Sequence, residues 1–186
     1  MSKEPIIIVS GEPNSIFLEI FFKSIKNNSY KSPLIIITSK KLLQEQMKEL
    51  DFSIKINDID KKVKDFSKLN NKKINLINVN YNFKNCFEKI TSKSNKYIEK
   101  TFTIALKLMM QNNFSKFING PISKKYFLKG KTPGITEYLA KKTNKKNKVA
   151  MLIFNKNLSV SPITTHLALK MFIKIYQNKK YITRLI

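Results

Sequence analysis

The chain has 186 residues, of which 42% are apolar, enough for one ordinary domain with its own core and too many for a disordered chain. Its apolar runs are far too short to span a bilayer, the N-terminal stretch MSKEPIIIVSGEP has no small-residue cleavage site, and a lone Cys86 cannot form an internal disulfide. A soluble protein of a reducing cytoplasm is the expectation, with no membrane contact. The formal charge of +24 invites a nucleic-acid reading, but of 36 basic residues only Arg184 is an arginine, the side chain best suited to phosphate and base edges. The densest basic run, KKTNKKNK at 141–148, lacks an aromatic that could stack on a base, so it reads as a solvated helix end and loop, and no specific nucleic-acid partner is expected.

In chain order, Ile6–Val9 reads as a buried strand, and the turn GEPN leads into an apolar helix over about 15–25. Residues 34–37 give a second strand, with Thr38 or Ser39 as N-cap of a helix that stacks Leu43, Met47 and Leu50. Short strands are expected at 53–56 and 74–79, joined by a lysine-rich stretch that has no clear period. The strongest helix runs over 94–111, with Ile98, Phe102, Ala105 and Met109 on one stripe. A strand at 114–118, an NGP turn, a short helix at 122–128 and a helix in TEYLAKKT follow. Residues 149–154 and 158–163 form an expected strand pair across 155–157, and a last helix starts near His166. Alternating strands and helices argue for an α/β protein with at least part of its sheet parallel.

In such sheets ligands gather at the carboxyl ends of strands. Four loops fit that position: GEPN at 11–14, NGPISK at 119–124, PGITEYLA at 133–140 and TTHLAL at 164–169. Judged alone, each is a weak signal. Gly11 and Pro13 can simply turn a strand into a helix, Glu137 can be an N-terminal charge favoured by the helix dipole, Cys86 a small buried hydrophobe, and His166 a capping or core histidine.

Taken in order, the segments IIIVSGEP, NGPISK, GITEYLA and ITTHLAL resemble those of the 4-hydroxythreonine-4-phosphate dehydrogenase family of pyridoxal phosphate biosynthesis, from Pro5 to about Lys170. The resemblance implies a three-layer α/β/α fold like that of isocitrate and isopropylmalate dehydrogenases. A first α/β domain would occupy 1–128, and the start of a second 129–186, with a divergent tail from about 171. It implies NAD-dependent oxidation of 4-phosphohydroxy-L-threonine to a β-keto acid that decarboxylates to 3-amino-1-hydroxyacetone phosphate. The family is a homodimer whose site is shared between subunits, with a divalent metal (zinc, magnesium or cobalt) held by three histidines. His166 corresponds to the first of these ligands.

Thr136 matches a substrate-binding threonine, while Ile135 stands where most of the family has a substrate-binding histidine and can neither hydrogen-bond nor carry charge. Glu12, Asn119, Lys124 and Glu137 fall in the matched segments and are expected near the site. The remaining metal histidines, phosphate contacts and most of the NAD pocket belong to a part of the family's chain with no counterpart here. The fold is therefore expected to be incomplete, and this polypeptide, as a truncated product or one fragment of a split reading frame, to have little or no activity alone. The alternatives are a relative acting on another phosphorylated hydroxy acid and a non-enzymatic remnant.

Overall fold

A computed structural model describes residues 3–61, 63–145 and 148–162; the His166 segment and the tail lie outside the described residues. The chain divides into two compact units, the first ending at Phe127 and the second beginning at Leu128.

The first unit is built on a five-stranded parallel sheet: β1 (Ile6–Val9), β2 (Leu34–Thr38), β3 (Ile56–Asp58), β4 (Ile74–Asn78) and β5 (Phe117–Asn119), in spatial order β3-β4-β2-β1-β5. The registers Ile7↔Ile35, Ile35↔Asn75 and Ile7↔Phe117 tie β1, β2, β4 and β5 together. β1 and most of β2 are continuous apolar runs because both faces of a parallel sheet are covered, while β4 carries a buried Asn75 among its apolar residues. Alternation then sorts their side chains. Ile8, Leu34, Ile36, Ile74 and Leu76 join Leu18, Phe21 and Phe22 of α1 (Phe17–Asn27) and Leu42, Leu43 and Met47 of α2 (Lys40–Glu49) in one core. Ile7, Val9, Ile35 and Ile37 point to the other face, which α3 (Asn95–Asn112) covers with buried Ile98, Phe102 and Ala105.

The handedness of the crossovers explains this split. The β1-to-β2 connection through α1 moves one way across the sheet, whereas β4 to β5 through α3 moves back past β2 and β1. Right-handed crossovers in opposite directions place their helices on opposite faces. The result is the expected α/β fold, a parallel sheet with helices on both sides.

Local chemistry sets the helix ends. Ser39, not Thr38, caps α2, its hydroxyl accepting from Leu42 N at 3.3 Å. Helix α1 begins at Phe17, two residues later than its apolar pattern suggests, because Ser15 is used in the turn: its hydroxyl donates to Glu12 O at 2.7 Å and accepts from Phe17 N at 3.3 Å. β3 lies at 56–58 instead of 53–56, and β5 at 117–119 instead of 114–118. Both are edge strands whose bounds depend on pairing with an inner neighbour, which local hydrophobicity does not reveal.

In the second unit, α4 (Ile135–Lys142) buries Tyr138 and Ala140, and β6 (Ile153–Phe154) pairs antiparallel with β7 (Ser159–Val160). The hairpin is shorter than the expected 149–154 and 158–163 pairing. Leu152, Ile153, Phe154, Leu158 and Val160 on it are exposed. A π-turn, Lys124–Leu128, replaces the short helix expected at 122–128. Among the described residues no helix is long and apolar enough to cross a membrane.

Candidate functional site

In the strand order of the first unit, β1 is the point at which the connections reverse direction: β2 lies on one side and β5 on the other. The carboxyl ends of β1 and β5 are therefore where an open parallel sheet offers a ligand crevice. The GEPN and NGPISK loops leave the sheet there, and their backbones close on each other. Gly120 N donates to Val9 O at 2.7 Å and Glu12 N to Pro121 O at 2.8 Å. Gly11 has φ +70°, and a Cβ on it would stand 2.3 Å from Pro121 O. Gly11 therefore answers a backbone demand, namely a left-handed residue under a close crossing.

The turn sends the Glu12 side chain into the protein, where the residue is 2% exposed. Burial pushes its carboxyl above the usual carboxylate range, and the neighbouring Ser94 hydroxyl only partly offsets this. That hydroxyl donates to Thr91 O at 3.0 Å, so its one proton is already committed. Both Glu12 carboxylate oxygens are left without a hydrogen-bond partner.

Beside this turn lies a satisfied polar network. Ser10 Oγ donates to Thr38 Oγ1 at 3.0 Å, the Tyr97 hydroxyl bonds Thr38 Oγ1 at 2.9 Å, and Ser39 N donates to the same hydroxyl at 3.1 Å. Complete burial raises the Tyr97 hydroxyl above the ordinary tyrosine range, against the pull of Ser10 Oγ at 3.3 Å, Thr38 Oγ1 and Ser39 N. The network joins the ends of β1 and β2 to α3. Sequence reasoning missed it, since Ser10, Thr38 and Tyr97 each look ordinary in their segments.

The residues expected at the site fall into separate settings. Glu12 is buried. Asn119 ends β5 half-buried, its Nδ2 donating to Gly120 O at 3.1 Å, and Lys124 is exposed at the start of the π-turn. In the second unit, Ile135, Thr136 and Glu137 form the first turn of α4 behind Gly134, all half-buried. No side-chain cap occupies that helix start, and Glu137 is the acidic residue placed to favour the dipole. His166 lies outside the described residues. Among the described residues no group of three or more His, Cys, Asp or Glu could hold a metal ion.

Residues 29–185 match the family described as pyridoxal phosphate biosynthetic protein PdxA. The chain belongs to that family. A curated relative from Sulfurihydrogenibium sp. (strain YO3AOP1), named 4-hydroxythreonine-4-phosphate dehydrogenase, is 31% identical over 172 residues, covering 89% of this chain and 50% of its own. One of the same name from Colwellia psychrerythraea is 26% identical over 185 residues, covering 97% and 56%. The crystal structure of a 4-hydroxythreonine-4-phosphate dehydrogenase from Burkholderia phymatum superposes with a TM-score of 0.77 at 21% identity, over 92% of this chain and 52% of that one. That of the Klebsiella pneumoniae protein gives 0.73 at 20% identity, over 92% and 53%.

These structural likenesses establish the fold. The chain spans about half the length of the curated relatives it matches. The PdxA family match starts at residue 29, so it rests on the segments holding Thr136 and His166 and not on the GEPN turn.

Proposed function

We propose that this chain supplies one part of the site of an NAD-dependent 4-hydroxythreonine-4-phosphate dehydrogenase. The match of residues 29–185 to the PdxA family carries the reading, because it contains both GITEYLA and ITTHLAL. Thr136 has a hydroxyl at the open start of α4, and such a helix start favours an anionic group. It would therefore hold the phosphate or carboxylate of the phosphorylated hydroxy amino acid. Ile135 adds no hydrogen bond, so the contact made elsewhere in the family by histidine is absent from this turn. Both curated relatives carry the same name, which favours this substrate over another phosphorylated hydroxy acid.

His166 would be one ligand of a divalent metal, zinc, magnesium or cobalt, which when bound would polarise the substrate's hydroxyl and the ketone formed from it, with NAD as the hydride acceptor the family resemblance implies. The sequence holds one histidine, whereas a catalytic zinc site typically takes three protein ligands. In the family the other two ligands are histidines, which by that resemblance would come from a longer chain, a partner chain or a second polypeptide. A homodimer that shares its site between subunits fits the family resemblance, and a cytoplasmic setting fits the lone buried Cys86.

The test is NADH formation from 4-phosphohydroxy-L-threonine with NAD and each metal in turn. The 186-residue chain is expected to give no more than its His166→Ala variant. Metal-dependent turnover by the chain alone would overturn the partial-site reading.

A further inference from the structure

β3 and β4 run parallel, with Ile56 paired to Ile74, so residues 59–73 must cross over one face of the sheet. That crossover moves across the sheet in the same direction as the one through α3, which places it on the face that α3 covers. A helix usually makes such a connection, but among the described residues of 59–73 there is none. The segment is nevertheless fixed at two points. Ile59 N donates to Leu76 O at 2.8 Å, and the Phe66 ring meets Phe114, just past the end of α3, edge-on at 5.0 Å between centroids.

Between this segment and the second half of α3 lies a cavity of about 730 Å³, within the size range of small-molecule sites. Val63, Ile104 and Leu108 give it an apolar lining, and Lys61, Lys64 and Lys107 a charged one. Ile104, Lys107, Leu108 and Gln111 recur at helical spacing, so they form one stripe about 10 Å long. No carboxylate is among the described lining residues, and among the described residues none of the three lysines is in an ion pair. The cavity beside Cys86, by contrast, mixes Lys41 and Lys84 with Glu45 and Glu49. The end of a helix would ordinarily repel an anion. Here the last carbonyls are occupied, Leu108 O accepting from Asn112 Nδ2 at 2.9 Å and Met109 O from Phe114 N at 3.0 Å.

We propose that this cavity binds an organic anion with an apolar body and one carboxylate or phosphate head. The body would lie against Val63, Ile104 and Leu108, and the head near Lys61, Lys64 and Lys107. A small inorganic anion leaves the apolar lining unused, and a neutral apolar molecule leaves three cations unanswered. Lysine stems also add apolar wall while their charged ends stay hydrated, which suits an amphipathic guest. The proposal does not rest on the dehydrogenase reading.

Titration calorimetry of the full chain with octanoate, naphthyl phosphate, octanol, acetate and inorganic phosphate at fixed ionic strength tests it. Octanoate or naphthyl phosphate is expected to saturate one site about tenfold more tightly than the other three, and the tighter of the two names the head group. Lys64→Gln combined with Lys107→Gln should weaken that binding about tenfold, within the range for two exposed charge pairs. Lys48→Gln combined with Lys89→Gln removes the same charge from exposed positions elsewhere and should leave it unchanged. No saturable binding of either organic anion would overturn the proposal, as would equal affinities in the two lysine pairs. Octanol binding as tightly as octanoate would overturn it too, because the lysines would then select nothing.

Discussion

Gly120 lies so close to Ser10 that a Cβ on it would stand 2.1 Å from the Ser10 carbonyl oxygen. The obstacle is backbone at the end of β1, which cannot rotate aside as a side chain would. Two strands that are distant in sequence are thus pinned at the carboxyl edge of the sheet, and the pinning decides where both the GEPN and NGPISK loops emerge.

Gly120→Ala is therefore expected to destabilise the fold by about 2–3 kcal/mol, the upper part of the range for overpacking. Gly11→Ala adds a positive-φ penalty to its own clash with Pro121 O and should cost at least as much. Gly130 also has positive φ but has nothing within 4 Å of an added Cβ, so Gly130→Ala should cost only about 1 kcal/mol. Urea unfolding midpoints of the three variants give the order directly.

Tyr97→Phe removes the hydroxyl shared by Thr38 and Ser39 N and should cost about 1–3 kcal/mol. It should also change the alkaline limb of the stability profile. Tyr97 keeps its proton more firmly when folded than when unfolded, where its value is near 10. Its contribution is thus intact below about 10 and is lost as the pH rises through the higher folded value. The wild type should lose stability more steeply in that window than Tyr97→Phe, as followed by circular dichroism across the alkaline range.

Two side chains serve the start of α2: Asn78 Oδ1 accepts from Lys40 N at 2.9 Å and Ser39 Oγ from Leu42 N. Ser39→Ala removes the acceptor for Leu42 N and should lower stability by about 1 kcal/mol, whereas Ser39→Asp should restore most of it. Chemical unfolding of the pair separates the loss of the cap from the loss of buried hydroxyl volume.

The parts of the fold that were legible in the sequence were those governed by local pattern. The apolar runs at Ile6–Val9 and at 34–37 could only be covered on both faces, and the stripe through Ile98, Phe102 and Ala105 fixed α3. The edge strands slipped because IND at 56–58 and FIN at 117–119 have no period of their own; partners set their register. The burial of Glu12 was not legible, since an acidic residue between glycine and proline reads as a solvated turn. It is inward because Gly11 turns the chain under Pro121, which is a contact across 110 residues of sequence. At the candidate site, Thr136 and His166 rest on the ordered motifs alone, whereas the Ser10–Thr38–Tyr97 network left no local trace.

Ile135→His would place an imidazole at the start of α4, beside Thr136. It should tighten binding of 4-phosphohydroxy-L-threonine about tenfold, the worth of one hydrogen bond to a charged group. Titration calorimetry of the variant against the wild type checks it, with inorganic phosphate showing how much of the gain belongs to the phosphate alone.

The central claim is that the turn opening α4 receives the phosphorylated hydroxy amino acid. Its most direct test is calorimetric titration of 4-phosphohydroxy-L-threonine into the wild type and Thr136→Val, with NAD and a divalent metal present. Saturable binding by the wild type, weakened at least tenfold in Thr136→Val at an unchanged melting midpoint, is the predicted result. Equal binding by the two proteins, or none by the wild type, would contradict it.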